Sequence, residues 1–149
     1  MAHTDSQLPV FVYGTLRRGE GNHRLLVPHA VAIHPAELTG HRLYSQGLPY
    51  VASGDAADAV VGEIVRLNPQ TYDIAMKQLD GLEGVDHGMY RREALPVRFR
   101  CDCAPQQMTS LAWVYLGGNG FFDYSPHLVV PGGDWVSARR SADYAAGCA

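Results

Sequence analysis

Two stretches of this chain hold residues whose types and spacing could do chemistry. In Leu79-Asp80-Gly81-Leu82-Glu83-Gly84 an acid stands between apolar residues and glycines. A carboxyl buried in such surroundings has its charged form disfavoured, so it can take up and return a proton near neutral pH. A solvated carboxylate at a helix end is the commoner state of a lone Glu, and on this stretch alone both readings of Glu83 stand. In Val10-Phe11-Val12-Tyr13-Gly14-Thr15-Leu16-Arg17-Arg18-Gly19-Glu20-Gly21-Asn22-His23 an apolar run breaks into a glycine-rich loop. Backbone N–H groups released at a strand end, with no ladder partner, make a natural cradle for an anion. Taken alone, the stretch also reads as a hairpin turn after a first strand. Tyr90 and Tyr115 add hydroxyls that could partner a substrate or Glu83, or pack as core aromatics with the hydroxyl at a rim.

Other chemistries find no support. The spacing Gly14 to Gly19 imitates a phosphate-binding loop, but Glu20 and Gly21 stand where Lys and then Ser or Thr are needed. Cys101-Asp102-Cys103 lacks the two-residue gap and second ligand pair of a zinc site. The seven histidines are scattered without a ligand pattern, and no Gly-x-Ser-x-Gly elbow exists. The chain therefore predicts no metal and no cofactor. With a net charge of −3 and Lys77 as its only lysine, it offers no basic stripe for nucleic acid or an anionic membrane. No apolar run approaches the roughly 18 residues of a membrane span, and residues 1–7 lack a secretory pattern. Three cysteines do not make a disulfide framework, so a cytoplasmic protein with free thiols is expected.

The elements that must position these residues follow from periodicity. Phe11 and Tyr13 face one way in an extended chain and Val10 and Val12 the other, as in an interior strand buried on both faces. Asn22 can cap a short helix through Leu26. Residues 37–44 read as a strand, 47–50 as a turn, and 60–67 as a strand rich in β-branched residues. Asn68 and Pro69 predict the start of a helix with Tyr72, Ala75, Met76, Leu79 and Leu82 on one face and Gly81 as its stop. Glu83 then lies just past the last turn. Leu95, Val97 and Phe99 alternate around Pro96, which argues for an edge or bulged strand. Residues 111–116 read as an interior strand, 121–132 as irregular, and Asp134 as the cap of a helix over residues 135–144. Apolar content of 46% over 149 residues suits one α+β domain, residues 9–144, on a largely antiparallel, curled sheet. Residues 1–8 and 145–149 read as flexible termini.

Together these pieces resemble the signature of the γ-glutamylcyclotransferase-like (AIG2-like) superfamily. The resemblance rests on residues 10–19 with Asn22-His23, Val61-Gly62-Glu63-Ile64, Leu79-Asp80-Gly81-Leu82-Glu83-Gly84, Tyr90-Arg91-Arg92 with Val97, Trp113-Val114-Tyr115, and Gly133-Asp134-Trp135. It runs in order over nearly the whole chain. It implies a mixed, largely antiparallel small β-barrel with flanking helices. It also implies that Tyr13, Gly14, Thr15 and Leu16 hold a γ-glutamyl moiety through their backbone, with Glu83 as acid–base catalyst. Thr15 stands where the glutathione-degrading branch usually carries Ser, so the chain looks closer to the γ-glutamylamine branch. That branch includes enzymes that remove γ-glutamyl protecting groups in antibiotic biosynthesis.

Such chemistry suits the residues. A γ-glutamyl amide carries its own nucleophile, the α-amine, and closes a five-membered ring on its γ-carbonyl. It needs a clamp on the α-carboxylate, a base for the α-ammonium and an acid for the departing amine, but no cofactor. The partner expected is a small γ-glutamyl substrate, with Gly47, Leu48, Pro49 and Tyr50 and residues 117–124 as candidate walls for the departing amine. A binding module of the same fold, holding a small carboxylate without turnover, is the alternative.

Overall fold

The computed structural model describes residues 7–102 and 105–148, with residues 142–148 described by backbone alone. Five strands close into a barrel: β1 (Val10–Val12), β5 (Ala59–Leu67), β2 (Ala30–Thr39), β6 (Tyr90–Arg100) and β7 (Gln107–Gly117), in that order. All neighbouring pairs are antiparallel except β1 with β7, where Val10 lies beside Trp113 and Phe11 beside Val114. β3 (His41–Gln46) and β4 (Leu48–Ser53) form a separate hairpin, and two helices, α1 (Tyr72–Leu82) and α2 (Trp135–Cys148), complete the fold. The α+β, small-barrel expectation is met.

The alternation in β1 divides the core as the sequence predicts. Phe11 and Tyr13 pack with Leu38, Val60, Ile64, Val97 and Val114 in one cluster, joined by Trp135 and Val136 of α2. Val10 and Val12 pack on the other side with Leu26, Val65 and the buried face of α1, Tyr72, Ala75, Met76 and Leu79. Each fully buried side chain of this size contributes about 1.5–3 kcal/mol, so α1 is held mainly by this apolar face.

Several local expectations are corrected. Asn68 does not cap α1: its side chain accepts from the Gln70 N–H in a preceding turn, and the helix starts after Thr71. Gly81 does not stop the helix, which runs on to Leu82; Gly84, at φ 64°, makes the left-handed exit. The strand expected over residues 37–44 is two strands, broken at Gly40, and the turn expected over 47–50 is confined to Gly47, with Leu48 already in β4. Pro96 causes no bulge: β6 pairs with β7 in continuous register, and its other side meets β2 only near Arg98 and Phe99, so no donor is missed at Pro96. Asn22 precedes a single 3-10 turn, His23–Leu25, without a side-chain cap. Cys101 is disulfide-bonded, against the expectation of free thiols. The expected flexible termini fall partly outside the described residues; of those described, Leu8 accepts a hydrogen bond from the Tyr72 hydroxyl, and α2 continues to Cys148.

The loop after β1 is tied to α2. Arg17 donates to the Asp134 carboxylate over 2.8 Å, and the same oxygen accepts the Ser137 N–H, so Asp134 caps α2 as expected. Glu20, with a side chain only 4% exposed, pairs with Arg139 at 2.6 Å and Arg140 at 3.3 Å. Glu20→Ala removes the carboxylate that both arginines share and leaves a void in its place. Urea denaturation of this variant is expected to show a loss of about 1–3 kcal/mol, below the cost of stranding a fully buried ion.

Candidate active site

The strand ladder of β1 ends at Val12, and the chain then turns away from β5. In the loop that follows, the Arg17 N–H donates to the Gly14 carbonyl and the Arg18 N–H to the Glu63 carboxylate. The N–H groups of Gly14, Thr15 and Leu16 have no acceptor among the described residues. Three consecutive donors without a partner, two of them on buried residues, are costly unless a ligand or water satisfies them. Asn22 and His23 hold this shape: the Asn22 N–H donates to the Thr15 carbonyl (2.9 Å), its side chain to the Thr15 hydroxyl (2.9 Å), and a His23 ring nitrogen bonds the Leu16 carbonyl (2.9 Å).

These residues line a cleft of about 120 Å³ together with Glu83, Tyr90 and Tyr115. Every site residue expected from the sequence, Tyr13, Gly14, Thr15, Leu16, Glu83, Tyr90 and Tyr115, is in this lining. Ligand pockets that enclose a whole drug-sized molecule run to roughly 300–1,000 Å³, so this one has room for a small ligand or for one end of a larger one.

Glu83 occupies the C-terminal cap position of α1, its N–H bonded to the Leu79 carbonyl at 2.9 Å. The exit through Gly84 turns its side chain into the cleft rather than along the helix axis. No hydrogen bond or ion pair reaches its carboxyl among the described residues. Burial without a compensating cation pushes it up to about 7 from an ordinary 4.5. Its charge in turn helps burial raise the Tyr13 and Tyr90 hydroxyls far above the ordinary phenolic range. In Tyr115 burial is again the main cause of a large rise, followed by the hydrogen bond to Asp80. All three hydroxyls are therefore neutral at any physiological pH.

Their protons are committed elsewhere. Tyr13 donates to the Tyr115 carbonyl, Tyr90 to the Pro49 carbonyl and Tyr115 to the Asp80 carboxylate, each over 2.7 Å. None donates to Glu83. Asp80 also faces Arg92 at 3.4 Å, whose guanidinium lies 4.5 Å over the Trp113 ring.

Several lining residues were not among the expected site residues. Asn22 was read as a helix cap and Leu82 as part of the apolar face of the helix, neither with a role in the site, and Met89 carried no signal beyond preceding Tyr90. Leu48 and Pro49 fell within a candidate wall, and both line the cleft. Residues 117–124 do not line it; Phe122 packs against Tyr50 and Tyr90 from behind. Gly14 is required by close approach: a Cβ there would sit 2.5 Å from Pro49 Cγ. Among the described residues no His, Cys, Asp and Glu gather in a metal-binding group, and no helix is long and apolar enough to cross a membrane.

Residues 10–137 match the family described as gamma-glutamyl cyclotransferase, AIG2-like. A relative from Rattus norvegicus, named gamma-glutamylaminecyclotransferase, is 30% identical over 150 residues, covering 91% of this chain and 87% of its own. A Methanocaldococcus jannaschii relative, provisionally named a gamma-glutamylcyclotransferase, is 28% identical over 131 residues, covering 87% and 97%. The crystal structure of an AIG2-like protein from Mus musculus superposes with a TM-score of 0.62 over 86% of this chain and 87% of that one, at 24% identity.

Because Glu83 binds its proton more tightly folded than unfolded, the fold loses stability as pH rises from about 4.5 through 7. Glu83→Gln removes that loss. Thermal or urea unfolding is expected to show the variant more stable than the parent by about 1–3 kcal/mol at pH 8, the gap closing toward pH 4.5.

Proposed function

The chain belongs to the gamma-glutamyl cyclotransferase, AIG2-like family, and from that premise we propose that it cleaves a γ-glutamyl amide by intramolecular attack. The observation that carries this reading is a carboxyl poised near neutrality in the same cleft as three unpartnered backbone N–H groups. The N–H groups of Gly14, Thr15 and Leu16 donate to the substrate α-carboxylate, a planar anion suited to several donors at once. Glu83, ionised above about pH 7, takes a proton from the α-ammonium. The freed amine attacks the γ-carbonyl, forming the lactam C–N bond. Glu83 passes that first proton to solvent, takes the second proton that the attacking nitrogen sheds once bonded to the γ-carbon, and delivers it to the departing amine as the amide C–N bond breaks, so that 5-oxoproline and free amine result. One carboxyl thus serves as base and then acid.

Intramolecular attack can reach effective molarities of about 10⁵–10⁸ M when the reacting atoms are well oriented, so water need not compete. Tyr13, Tyr90 and Tyr115 contribute through packing and through their oxygen lone pairs, because their protons are already donated to protein acceptors. The names borne by the rat and archaeal relatives support the activity class. The amine-releasing subtype rests on the resemblance and the rat relative's name.

Turnover of a γ-glutamyl amide in ¹⁸O-water tests the chemistry. Free amine and unlabelled 5-oxoproline are expected; labelled glutamate as first product means hydrolysis and refutes the mechanism. On the same substrate Glu83→Gln should lose about 10²–10⁴-fold in kcat with binding retained. Binding without turnover by the parent protein would instead mark a carboxylate-binding module.

The cradle has its own test. Gly14→Val drives branched carbons into Pro49 and displaces both the loop and the carbonyl that holds Tyr90. Calorimetric titration with 5-oxoproline is expected to lose binding in this variant, whereas Thr15→Ser keeps it. Undiminished affinity in a folded Gly14→Val protein places the carboxylate elsewhere.

A further inference from the structure

We propose that the mouth of this cleft selects a departing amine whose substituent is apolar and uncharged, through Leu48, Leu82 and Met89. The proposal rests on the cyclotransferase reading and names the substrate class within it. A cleft of about 120 Å³ takes the glutamyl half, so the amine's substituent must leave through the open side. The members of the lining most open to solvent are Leu48 and Leu82, 44% and 41% exposed. Met89 is half-buried beside them in the lining. They come from three elements: Leu48 opens β4 after the turn at Gly47, Leu82 closes α1, and Met89 directly precedes β6.

The charge inventory agrees. Glu83 is the only carboxylate in the lining, and no Lys, Arg or His lines it. The nearby carboxylate of Asp80 is occupied by the Tyr115 hydroxyl and faces Arg92. Asp86 and His87, in the 3-10 turn after Glu83, are exposed and do not line the cleft. The two half-buried polar side chains, Thr15 and Asn22, bond each other over 2.9 Å. A terminal ammonium leaving this cleft meets two leucines and a methionine, and a distal carboxylate finds no cation. Either would surrender hydration without gaining a partner. An alkyl chain instead covers the apolar surface that Leu48 and Leu82 show to water.

Three probes with the same acyl half separate these cases: the γ-glutamyl amides of n-butylamine and of 1,4-diaminobutane, and γ-glutamyl-ε-lysine. The butyl amide is expected to exceed both others in kcat/KM by about tenfold or more, the range of discrimination an apolar pocket supplies. Leu48→Glu, an exposed position that a charge can occupy without disrupting the core, should lower the butyl value and raise the diamine value, at least cancelling the preference. Leu82→Glu provides the same reading from the end of α1. Equal turnover of all three amides, or a preference for a charged one, overturns the selection while leaving the cyclotransferase reading intact. So does a folded Leu48→Glu protein with an unchanged ratio. Failure of every amide to yield 5-oxoproline overturns the parent reading and this one with it.

Discussion

The site depends on β1 being three residues long and buried on both faces. Its parallel pairing with β7 is the step that closes the barrel, and the antiparallel partner on its other side, β5, fixes its register. A longer β1 would carry the ladder through Gly14 and give the next N–H groups sheet partners. A shorter one would leave Phe11 without its place among Leu38, Ile64 and Val114. The cleft therefore opens at the point where a hydrophobic constraint stops, and the orphaned donors follow directly from where the ladder stops.

The second requirement is a carboxyl kept without a cation. Two arginines stand close by in the sequence, Arg91 and Arg92, yet each is turned elsewhere. Arg92 is drawn over Trp113 and toward Asp80, and Arg91 pairs with Glu93 at 2.7 Å. An arginine brought against Glu83 would hold it ionised and return its pKa to the usual carboxylate range or below. The network of Arg92, Asp80 and Tyr115 thus has a consequence beyond its own bonds: it keeps Arg92 away from Glu83, the group whose titration the proposed reaction uses.

Much of this was legible in the sequence, for a physical reason. The alternation of Phe11 and Tyr13 with Val10 and Val12, the spacing of Tyr72 through Leu79, and the polar cap at Asp134 are local patterns whose meaning does not depend on tertiary context. The placement of Glu83 just past α1 could be read for the same reason. Gly81 and Gly84 could not be ranked as helix stops from type alone, since only the backbone angle distinguishes a glycine tolerated in a helix from one required to leave it. Asn68 looked like the better cap because Pro69 follows it, but the side chain found a closer donor in its own turn. The need for Gly14 was visible, whereas its cause, the ring of Pro49, belongs to a hairpin whose position over the loop no local pattern encodes. The same holds for residues 117–124, whose aromatics back Tyr50 and Tyr90 instead of forming a wall.

The attachment of Glu20 to Arg139 and Arg140, beside the pairing of β1 with β7, has a consequence for how the molecule comes into being. Both connections join the first part of the chain to its last third, so a nascent polypeptide holds the cradle sequence long before it holds the strand and helix that fix it against the barrel. Until α2 emerges from the ribosome, the loop's carboxylate lacks its arginines and the barrel's closing strand lacks its support from Trp135 and Val136. Contacts so distant in sequence form late and slowly. The cleft is accordingly completed only once β7 has been made, and a chain interrupted before α2 carries the site's residues without the ion pairs that hold their loop.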